Sequence, residues 1–341
     1  MKKVISFVVP CYHSADYMDR CIESLLAAGD DCEILLVDDG SFADATGEKA
    51  DLWAANYPNV IRAIHQENKG HGGAINTGLE MAEGLYFKVV DSDDRLDKAA
   101  LEQMMAYLKE QSVRKTPTDL VIANYVYDHV SDGKKRVINY QNVFPVNTEF
   151  TWEDIKAFRT YKFLLMHAAV FRTGLLRKIR LRLPEHCFYV DNLFVYAPLP
   201  AVTSLYYINA DLYWYYIGRE DQSVNEDVMK RQISHHLTVT RHMIDAVRLS
   251  QDVPQKHLRN YMCNALTVMM CISRLFLQMI HTEDAYRELA DLWNYLKEHD
   301  PDTYRLLGKK PVNVFLRLPG KYGRTVMRIG YRFTQKIFKF N

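Results

Sequence analysis

The stretch VISFVVPCYHSADYMDRCIESLLAAGDDCEILLVDDGS, residues 4–41, carries the pattern on which the fold depends. Residues 4–9 form a β-branched, almost continuous apolar run, which is typical of a strand buried on both faces of a parallel sheet. Apolar side chains then recur at helical spacing over residues 15–28, Gly29 supplies a stop, and a second apolar run covers residues 33–37. The stretch therefore predicts a strand, a helix and another strand.

The same alternation of strand and helix continues to about residue 127. The further predicted elements are, in chain order, a helix over 43–56, a strand over 60–64, a helix over 73–83, a strand over 85–90, a helix over 96–110 and a strand over 120–127. This βαβ series predicts an α/β fold with a mostly parallel central sheet, and helical periodicity from residue 225 to about 298 adds a C-terminal helical region. Loops that follow parallel strands meet at one edge of the sheet, so we expect the functional site there.

Length and composition are those of a globular enzyme or binding protein. The 341 residues are 48% hydrophobic and 25% charged, values that argue against disorder and against an integral membrane protein. Residues 303–341 contain ten Lys or Arg and no acidic side chain, which leaves 33 basic and 42 acidic residues in 1–302. A body with a charge balance of about −9 fits no general nucleic-acid-binding surface, so we predict no nucleic-acid partner.

The cysteines and the N-terminal residues both favour a cytoplasmic protein. The six cysteines are scattered, with no C-x-x-C pair and no histidine at zinc-finger spacing, so we expect reduced and mostly buried thiols. The apolar run over residues 4–9 is too short for the hydrophobic region of a signal peptide. We therefore expect synthesis and residence in the cytoplasm.

Two loops rich in carboxylates follow predicted strands. Asp38 and Asp39 come after the second strand, and Asp91, Asp93 and Asp94 come after the fourth. Carboxylates this close repel one another by roughly 4 kcal/mol per pair at an effective dielectric near 20, so a partly enclosed site needs a cation. A hard, oxygen-preferring Mg²⁺ or Mn²⁺ is the natural choice. A purely structural role, capping the next helix, stays open for Asp94.

A glycine-containing loop over residues 68–74, NKGHGGA, has the outline of a dinucleotide-binding fingerprint. The third glycine of that fingerprint falls on Ile75, and a nicotinamide enzyme needs its glycines after the first strand, so we reject that class. Lys69 and the predicted helix start at Gly73 instead offer positive charge and free N–H groups to a phosphate. His71, a single loop histidine, is interpreted as incidental.

Taken together, the motifs resemble those of family 2 glycosyltransferases with the GT-A fold. The motifs that match in order and spacing are Pro10, Asp38-Asp39-Gly40-Ser41, Asn68-Lys69-Gly70 with Ala74 and Asn76, and Asp91-Ser92-Asp93-Asp94. The resemblance is strong over residues 3–125, weaker over 160–225, and does not extend to the C-terminal helices. It implies a GT-A domain that binds a nucleotide diphosphate sugar.

The resemblance also implies roles for individual residues at the donor site. In the family, the loop after the first strand and the first Asp of the Asp-Asp-Gly-Ser motif hold the nucleotide base, which assigns the base to Pro10, Tyr12 and Asp38. An Asp carboxylate is a suitable acceptor for a uracil N3–H. The Asp-x-Asp motif implies that Asp91 lies near the ribose or the metal and that Asp93 is the principal ligand of Mn²⁺ or Mg²⁺. The remaining residues assigned to donor binding are Asp39, Lys69, Ser92 and Arg219.

Arg219 opens a segment, Arg219-Glu220-Asp221-Gln222-Ser223, that is similar to the family's loop over the diphosphate. Its guanidinium is suited to a bidentate pair with phosphate, and an ordinary surface arginine is the alternative. The aromatic residues just before it are typical of a core strand, although Trp214 and Tyr216 are also suited to stacking on an acceptor sugar.

Family members place the catalytic base in the second half of the domain, usually in a Glu-Asp pair at a helix start. The matching segment here is Tyr189-Val190-Asp191-Asn192, in which valine replaces the glutamate and Asp191 is the predicted base. Glu185 and His186 are the alternatives. A base opposite the leaving group implies direct displacement with inversion at the anomeric carbon.

The segment from residue 315 to residue 341 alternates cations with apolar and aromatic side chains. Such a basic amphipathic segment is typical of binding to anionic lipid, and docking on the protein or a solvated tail are the alternatives. Membrane contact would suit a lipid-linked acceptor. We therefore expect a peripheral protein at the inner face of the cell membrane.

The sequence thus predicts a metal-dependent inverting glycosyltransferase that uses a nucleotide diphosphate sugar, favoured as a UDP-sugar, and a glycan or lipid-linked glycan acceptor in polysaccharide biosynthesis. A noncatalytic sugar-nucleotide-binding scaffold and a sugar-nucleotide nucleotidyltransferase are the alternatives. The predicted divisions of the chain are 1–125 for nucleotide-sugar binding, 126–224 for acceptor binding, 225–300 for the helical region and 301–341 for the basic tail.

Overall fold

The computed structural model describes residues 3–129, 133–158, 163–217 and 226–315. The chain divides into two compact units, Met1–Ile217 and Gly218–Asn341. The predicted loop at Arg219 and nearly all of the predicted tail lie outside the described residues. The further divisions predicted at residues 125 and 301 stay predictions.

The first unit combines ten described strands with six described helices. The strands are β1 (Ile5–Cys11), β2 (Cys32–Asp38), β3 (Ile61–His65), β4 (Tyr86–Val89), β5 (Arg95–Leu96), β6 (Leu120–His129), β7 (Lys134–Ile138), β8 (Glu149–Phe150), β9 (Ala169–Arg172) and β10 (Leu205–Ile217). The helices are α1 (Met18–Leu26), α2 (Thr46–Asn56), α3 (Gly70–Met81), α4 (Lys98–Ser112), α5 (Thr173–Lys178) and α6 (Val190–Tyr196).

The strands form one sheet in the order β3-β2-β1-β4-β9-β6-β10-β5, with β7 beside β6 and β8 beside β10. Strand β1 runs parallel to β2 and β4, β2 is parallel to β3, and β6 is parallel to β10. Strand β9 is antiparallel to both of its neighbours, β4 and β6, so those two strands share one direction. Strands β5 and β8 are antiparallel to β10, and β7 is antiparallel to β6. The described sheet is therefore mixed, with its six strands β1–β4, β6 and β10 in one direction, and the predicted α/β fold is confirmed.

The register of the first three strands sets the position of the loops that follow them. Strands β1 and β2 are buried along their whole length, as their apolar runs predicted. Cys11 pairs with Asp38 across β1 and β2, and Asp38 pairs with His65 across β2 and β3. The three strands consequently end at one level, and their loops start side by side at the carboxyl edge of the sheet.

Two helices begin at positions that differ from the prediction. Helix α2 starts at Thr46 rather than at residue 43, because the Asp44 carboxylate accepts hydrogen bonds from the backbone N–H groups of Thr46 (3.2 Å) and Ala15 (3.0 Å) and holds residues 43–45 in a loop. Helix α3 starts at Gly70, three residues before the predicted start.

The second unit is helical, as predicted. Its described helices are α7 (Glu226–Arg231), α8 (Ile233–Ala246), α9 (Leu249–Asp252), α10 (Lys256–Ile280), α11 (Glu283–His299), α12 (Pro301–Gly308) and α13 (Pro311–Phe315). Helix α10 packs against α8 and α11. At 25 residues it is long and apolar enough to cross a membrane by length and composition, and 50% of its most apolar window is buried.

Candidate functional site

The candidate site lies at the carboxyl edge of the sheet, where hydrogen bonds join loops that are distant in sequence. The hydroxyl groups of Ser14, after β1, and Ser92, after β4, lie 2.8 Å apart. The backbone N–H of His13 donates to the hydroxyl of Ser41, after β2, at 3.0 Å. The predicted convergence of the loops after β1, β2 and β4 is thus present, and Ser92 lies within it.

Asp38, at the end of β2, is buried, and its carboxylate makes two hydrogen bonds within the described part of the chain. Its carboxylate accepts from the backbone N–H of Ser41 at 3.1 Å and lies 3.1 Å from Nδ1 of His65. The other ring nitrogen of His65 lies 3.0 Å from Asp51, and the hydrogen bonds to Asp38 and then Asp51 raise the pKa of His65. The predicted base-binding carboxylate is therefore oriented by a histidine that the sequence interpretation did not consider.

Asp39 links the loop after β2 to the start of helix α3. Its carboxylate accepts from the side chain of Gln66 at 2.6 Å and from the backbone N–H of Lys69 at 2.8 Å. Both hydrogen bonds are accepted by Oδ1 and connect the loop after β2 to the loop after β3. Asp39 therefore positions the loop that carries Lys69.

Pro10 and Tyr12 occupy different environments although both were predicted to hold the base. Pro10 lies inside β1, opposite Val37. Tyr12 lies beyond the strand with 47% of its surface exposed, and its ring centroid is 4.1 Å from that of His13. Phe42 is 84% exposed, and its ring lies edge-on to that of His13. Exposed aromatic rings therefore surround the strand end at which the base was predicted.

Helix α3 begins against the loop that precedes α6. Gly70 has φ of +73°, and a Cβ at this position would lie 2.9 Å from Cα of His186, so only glycine fits without strain. The backbone N–H of His186 donates to the carbonyl of Lys69 at 2.7 Å. The first turn of α3, whose N–H groups have no acceptors within the helix, therefore begins directly after Lys69.

His71 and Asp91 form the central ion pair of the site, with Nε2 and Oδ1 2.9 Å apart. Burial disfavours the charged form of each side chain, but the hydrogen bond and attraction between the two have the larger effect. The pKa of His71 is therefore raised by Asp91, and the pKa of Asp91 is lowered by His71. The interpretation of His71 as an incidental loop histidine was therefore wrong. Asp91 lies 20 residues further along the chain, in the loop after β4, whereas His71 lies in the first turn of α3.

Asp93 and Asp94, adjacent in sequence, have different surroundings. The backbone carbonyl of Asp93 accepts from the guanidinium of Arg20 at 2.7 Å. Asp94 is fully buried, and its carboxylate accepts from the Tyr213 hydroxyl at 2.6 Å and the Tyr216 backbone N–H at 2.8 Å. Burial, with the charges of Asp93 and Asp91, raises the pKa of Asp94 well above its usual range. Asp94 does not cap helix α4, since Asp97 does so by accepting from the backbone N–H of Ala100.

His167, in the turn that precedes β9, lies close to the acidic loop after β4. Among the described residues, Asp91, Asp94 and His167 offer a group of ligand atoms that lie within 4.8 Å of one another. Asp93, the predicted principal ligand, is not in that group. His167 is buried, and burial lowers its pKa to about 4, so its ring is neutral near physiological pH. Sequence reasoning missed His167 because it is a lone histidine in an apolar segment.

Lys88 is a second buried residue that the strand pattern concealed. It lies in β4, only 1% exposed, and its ammonium group donates to the backbone carbonyl of His167 at 2.7 Å. Burial lowers its pKa to about 7, although the charge of Asp91 opposes that shift. The side chain therefore links β4 to the turn that holds His167.

Asp191, the predicted catalytic base, lies in the first turn of α6. Tyr189, just before the helix, has φ of +65°, and Val190 is buried, which explains why an apolar residue occupies the position of the family's glutamate. Burial and then the charge of Asp91 raise the pKa of Asp191, whereas the charge of His71 lowers it. These mutual effects place Asp191 in the same electrostatic environment as the His71–Asp91 pair.

The alternative bases have other roles in the structure. The carboxylate of Glu185 lies 3.3 Å from the guanidinium of Arg182, in an exposed ion pair. His186 has φ of +50° and contributes its backbone to the contact with Lys69. Asp191 therefore remains the best-placed candidate for the base.

The aromatic strand β10 contributes both to the core and to the rim of the site. Tyr213 is fully buried beneath the acidic loop. Trp214 has two cations over its ring, Arg95 at 4.2 Å and Lys135 at 4.7 Å. The guanidinium of Arg20 lies 4.8 Å from the ring centroid of Tyr216. Arg20, which the sequence interpretation overlooked, thus connects Tyr216 with Asp93.

Comparison with known proteins adds independent evidence. The model of the family described as glycosyl transferase family 2 matches residues 6–178. Glycosyltransferase GlyG of Streptococcus pneumoniae serotype 4 is 39% identical over 135 residues, which are 39% of this chain and 42% of GlyG. Chondroitin synthase of Escherichia coli is 39% identical over 100 residues, 29% of this chain and 14% of that protein. The chain therefore matches less than half of the length of these relatives.

The solved structure of residues 1–349 of S. aureus TarS in complex with UDP-GlcNAc has a similar fold. The TM-score is 0.68 at 19% sequence identity, and the match covers 99% of this chain and 92% of that chain. This similarity confirms the predicted GT-A architecture. The family match covers half of the chain and includes the loops that carry Asp38, Asp39 and Asp91–Asp94. The chain therefore belongs to the glycosyl transferase family 2, as its motifs predicted.

Proposed function

We propose that the protein is a metal-dependent inverting glycosyltransferase. It transfers a sugar from a nucleotide diphosphate donor, favoured as a UDP-sugar, to a hydroxyl group of a glycan or lipid-linked glycan in polysaccharide assembly. The observation that carries the proposal is the electrostatic coupling of Asp191 in α6, His71 in α3 and Asp91 after β4. This coupling supports the assignment of a donor-side carboxylate and a candidate base to one site.

The nucleotide half of the donor is assigned to the loops after β1 and β2. Asp38 is held by Ser41 and His65, which supports a fixed carboxylate that accepts the uracil N3–H. The exposed ring of Tyr12 is available to lie against the base. S. aureus TarS was solved with UDP-GlcNAc, which supports a uridine nucleotide as the donor of this chain.

The diphosphate is assigned to the start of α3 and to the acidic loop after β4. The first N–H groups of α3 and the ammonium group of Lys69 offer positive potential to a phosphate, and Arg219 is proposed to add a bidentate contact. Asp91 and Asp93 are proposed as ligands of a Mn²⁺ or Mg²⁺ ion. When bound, such an ion neutralises the charge that develops on the departing nucleoside diphosphate.

Asp191 is proposed to remove the proton from the acceptor hydroxyl. Its raised pKa moves it toward the range in which a carboxylate is an effective general base. Direct attack by that hydroxyl breaks the bond between the anomeric carbon and the phosphate oxygen, so the product has the inverted configuration.

The acceptor is proposed to be a glycan or lipid-linked glycan at a membrane surface. A relative of this chain is a chondroitin synthase, which supports a glycan product. The basic amphipathic segment 315–341 is proposed to bind anionic lipid at the inner face of the cell membrane, where a lipid-linked acceptor is accessible.

The proposal is tested by calorimetric titration of the full chain with UDP-, GDP- and ADP-sugars, with and without Mn²⁺. We expect one uridine donor to bind in a Mn²⁺-dependent manner, and Asp93→Ala to weaken that binding by at least about 10-fold because it removes a metal ligand. Asp30→Ala, an exposed aspartate outside the site, is the control and should bind as the wild type does.

Two outcomes would contradict the proposal. Donor binding that is independent of metal and equal in the wild type and Asp93→Ala would exclude the cation site. Full turnover by Asp191→Asn would exclude Asp191 as the base, whereas retained donor binding with lost transfer is the expected result. A noncatalytic scaffold would transfer no sugar in the wild type either.

A further inference from the structure

His167 belongs to no recognised sequence motif, but it is buried close to two carboxylates of the acidic loop. It lies in the 3-10 turn Met166–Ala168, directly before β9. One ligand atom of its ring lies within 4.8 Å of a carboxylate oxygen of Asp91 and of Asp94. The side chain is only 6% exposed, and its Nδ1 atom is buried without a hydrogen-bond partner among the described residues. A buried polar atom of this kind requires an explanation.

Asp91, Asp94 and His167 differ in which of their side-chain atoms are already engaged in hydrogen bonds and which could bind a metal ion. Asp94 already accepts hydrogen bonds from the Tyr213 hydroxyl and the Tyr216 backbone N–H. Asp91 contacts His71 through Oδ1, and no hydrogen bond from another described side chain to its Oδ2 is seen. His167 retains the lone pair of a buried ring nitrogen. Asp91 and His167 are therefore the pair with unused ligand atoms, and Asp94 is a neighbouring carboxylate held in place by the protein.

The ring of His167 is held by its neighbours on several sides. It stacks on the ring of Tyr213 with a centroid distance of 4.5 Å and lies 4.6 Å from that of Tyr215. The ammonium group of Lys88 donates to its backbone carbonyl at 2.7 Å. These contacts fix the ring without using its nitrogens, as expected for a preorganised ligand.

We propose that His167 joins the proposed ligands Asp91 and Asp93 in binding the divalent ion, and that its imidazole makes the site selective for Mn²⁺ over Mg²⁺. The reason is that imidazole nitrogen is a good ligand for transition metals, whereas Mg²⁺ strongly prefers oxygen. The inference rests on the proposed function, since it specifies the metal that the donor site uses.

The test is pulsed electron paramagnetic resonance of Mn²⁺ bound to the full chain with UDP, using protein labelled with ¹⁵N-histidine. We expect a ¹⁵N coupling to Mn²⁺ in the wild type that disappears in His167→Gln. The variant should also bind Mn²⁺ at least about 10-fold more weakly, with a reduced preference for Mn²⁺ over Mg²⁺ in competition.

Two matched variants identify the source of the coupling. His71→Gln removes the other histidine near Asp91, and His236→Gln changes a buried histidine of the second unit whose pKa is also lowered to about 4. Both should keep the ¹⁵N coupling. Loss of the coupling in His71→Gln and its persistence in His167→Gln would overturn the assignment.

A wild-type spectrum without ¹⁵N-histidine coupling is enough to reject the inference, so its rejection does not depend on the folding of any variant. Mn²⁺ that binds with UDP but shows no ¹⁵N-histidine coupling would overturn the role of His167 and leave the proposed function intact. No Mn²⁺ binding by the wild type in the presence of UDP would overturn both this inference and the metal dependence of the proposed function.

Discussion

Asp191, the proposed general base, is a partly buried carboxylate in the first turn of α6. It lies at the start of α6, where the left-handed backbone of Tyr189 directs the chain into the helix. Burial and the nearby charge of Asp91 disfavour its ionised form, and the charge of His71 partly compensates. The carboxylate is therefore expected to lose its proton at a higher pH than an ordinary aspartate does.

This environment predicts the acidic limb of the pH profile. Because the base must be ionised, kcat/KM should fall as the pH decreases through the raised pKa of Asp191. Asp191→Asn should lose about 10²- to 10⁴-fold in transfer rate and should lose that limb. Measurement of kcat/KM from about pH 3 to about pH 8, a range that includes the ordinary aspartate pKa, checks this result, and Glu185→Gln is the control. A wild-type limb at the ordinary aspartate pKa would contradict the assigned environment.

Helix α3 is the element on which the geometry of the site depends most. Its first turn carries His71 to Asp91, and Gly70 permits the close approach of His186. Its later part packs directly on β1, where a Cβ at Gly78 would lie 2.3 Å from Cγ1 of Val8. The helix can therefore move little relative to the sheet without losing core contacts.

The contact at Gly78 predicts the effect of the smallest possible substitution. Gly78→Ala should destabilise the protein by about 1 to 3 kcal/mol, because overpacking the core outweighs the gain in helix propensity. Gly174→Ala in α5 is the matched control, since its Cβ would meet only the flexible end of Arg172 at 3.2 Å. Denaturant unfolding of the full chain measures both variants. Equal stability of Gly78→Ala and Gly174→Ala would contradict the tight packing of α3 on β1.

At the scale of the whole molecule, charge is distributed unevenly along the chain. The ten basic residues of 303–341 follow a body of 33 basic and 42 acidic residues. Because of this separation of charge, an anionic surface attracts the C-terminal segment and repels the acidic body.

Removal of the C-terminal segment tests its proposed membrane role. Deletion of residues 315–341 should abolish sedimentation with liposomes that contain anionic lipid, because most of the cations of the basic segment are lost. Donor hydrolysis should be unchanged, since none of the residues proposed to bind the donor lies in residues 315–341. Neutral liposomes are the control and should not bind the full chain. Unchanged sedimentation of the truncated protein would show that the segment does not anchor it.

The order of strands and helices followed from sequence because it depends on local periodicity. The apolar runs before Pro10 and Asp38 and the helical spacing between them were read within short windows, and the structure has strands and a helix there. The loops rich in Asp were also expected to meet, because the ends of parallel strands share one edge. The membership of the chain in the glycosyl transferase family 2 was predicted from the motifs in these same loops.

The identity of the polar partners was decided only by tertiary structure. Lys88 and His167 are separated by 79 positions, and Asp94 and Tyr213 by 119, so no local pattern relates them. The interpretations of His71 as incidental and of Asp94 as a possible helix cap lacked these distant partners. Side chains such as these acquire their protonation state, and with it their chemistry, from the groups that folding brings against them and from the water that burial removes.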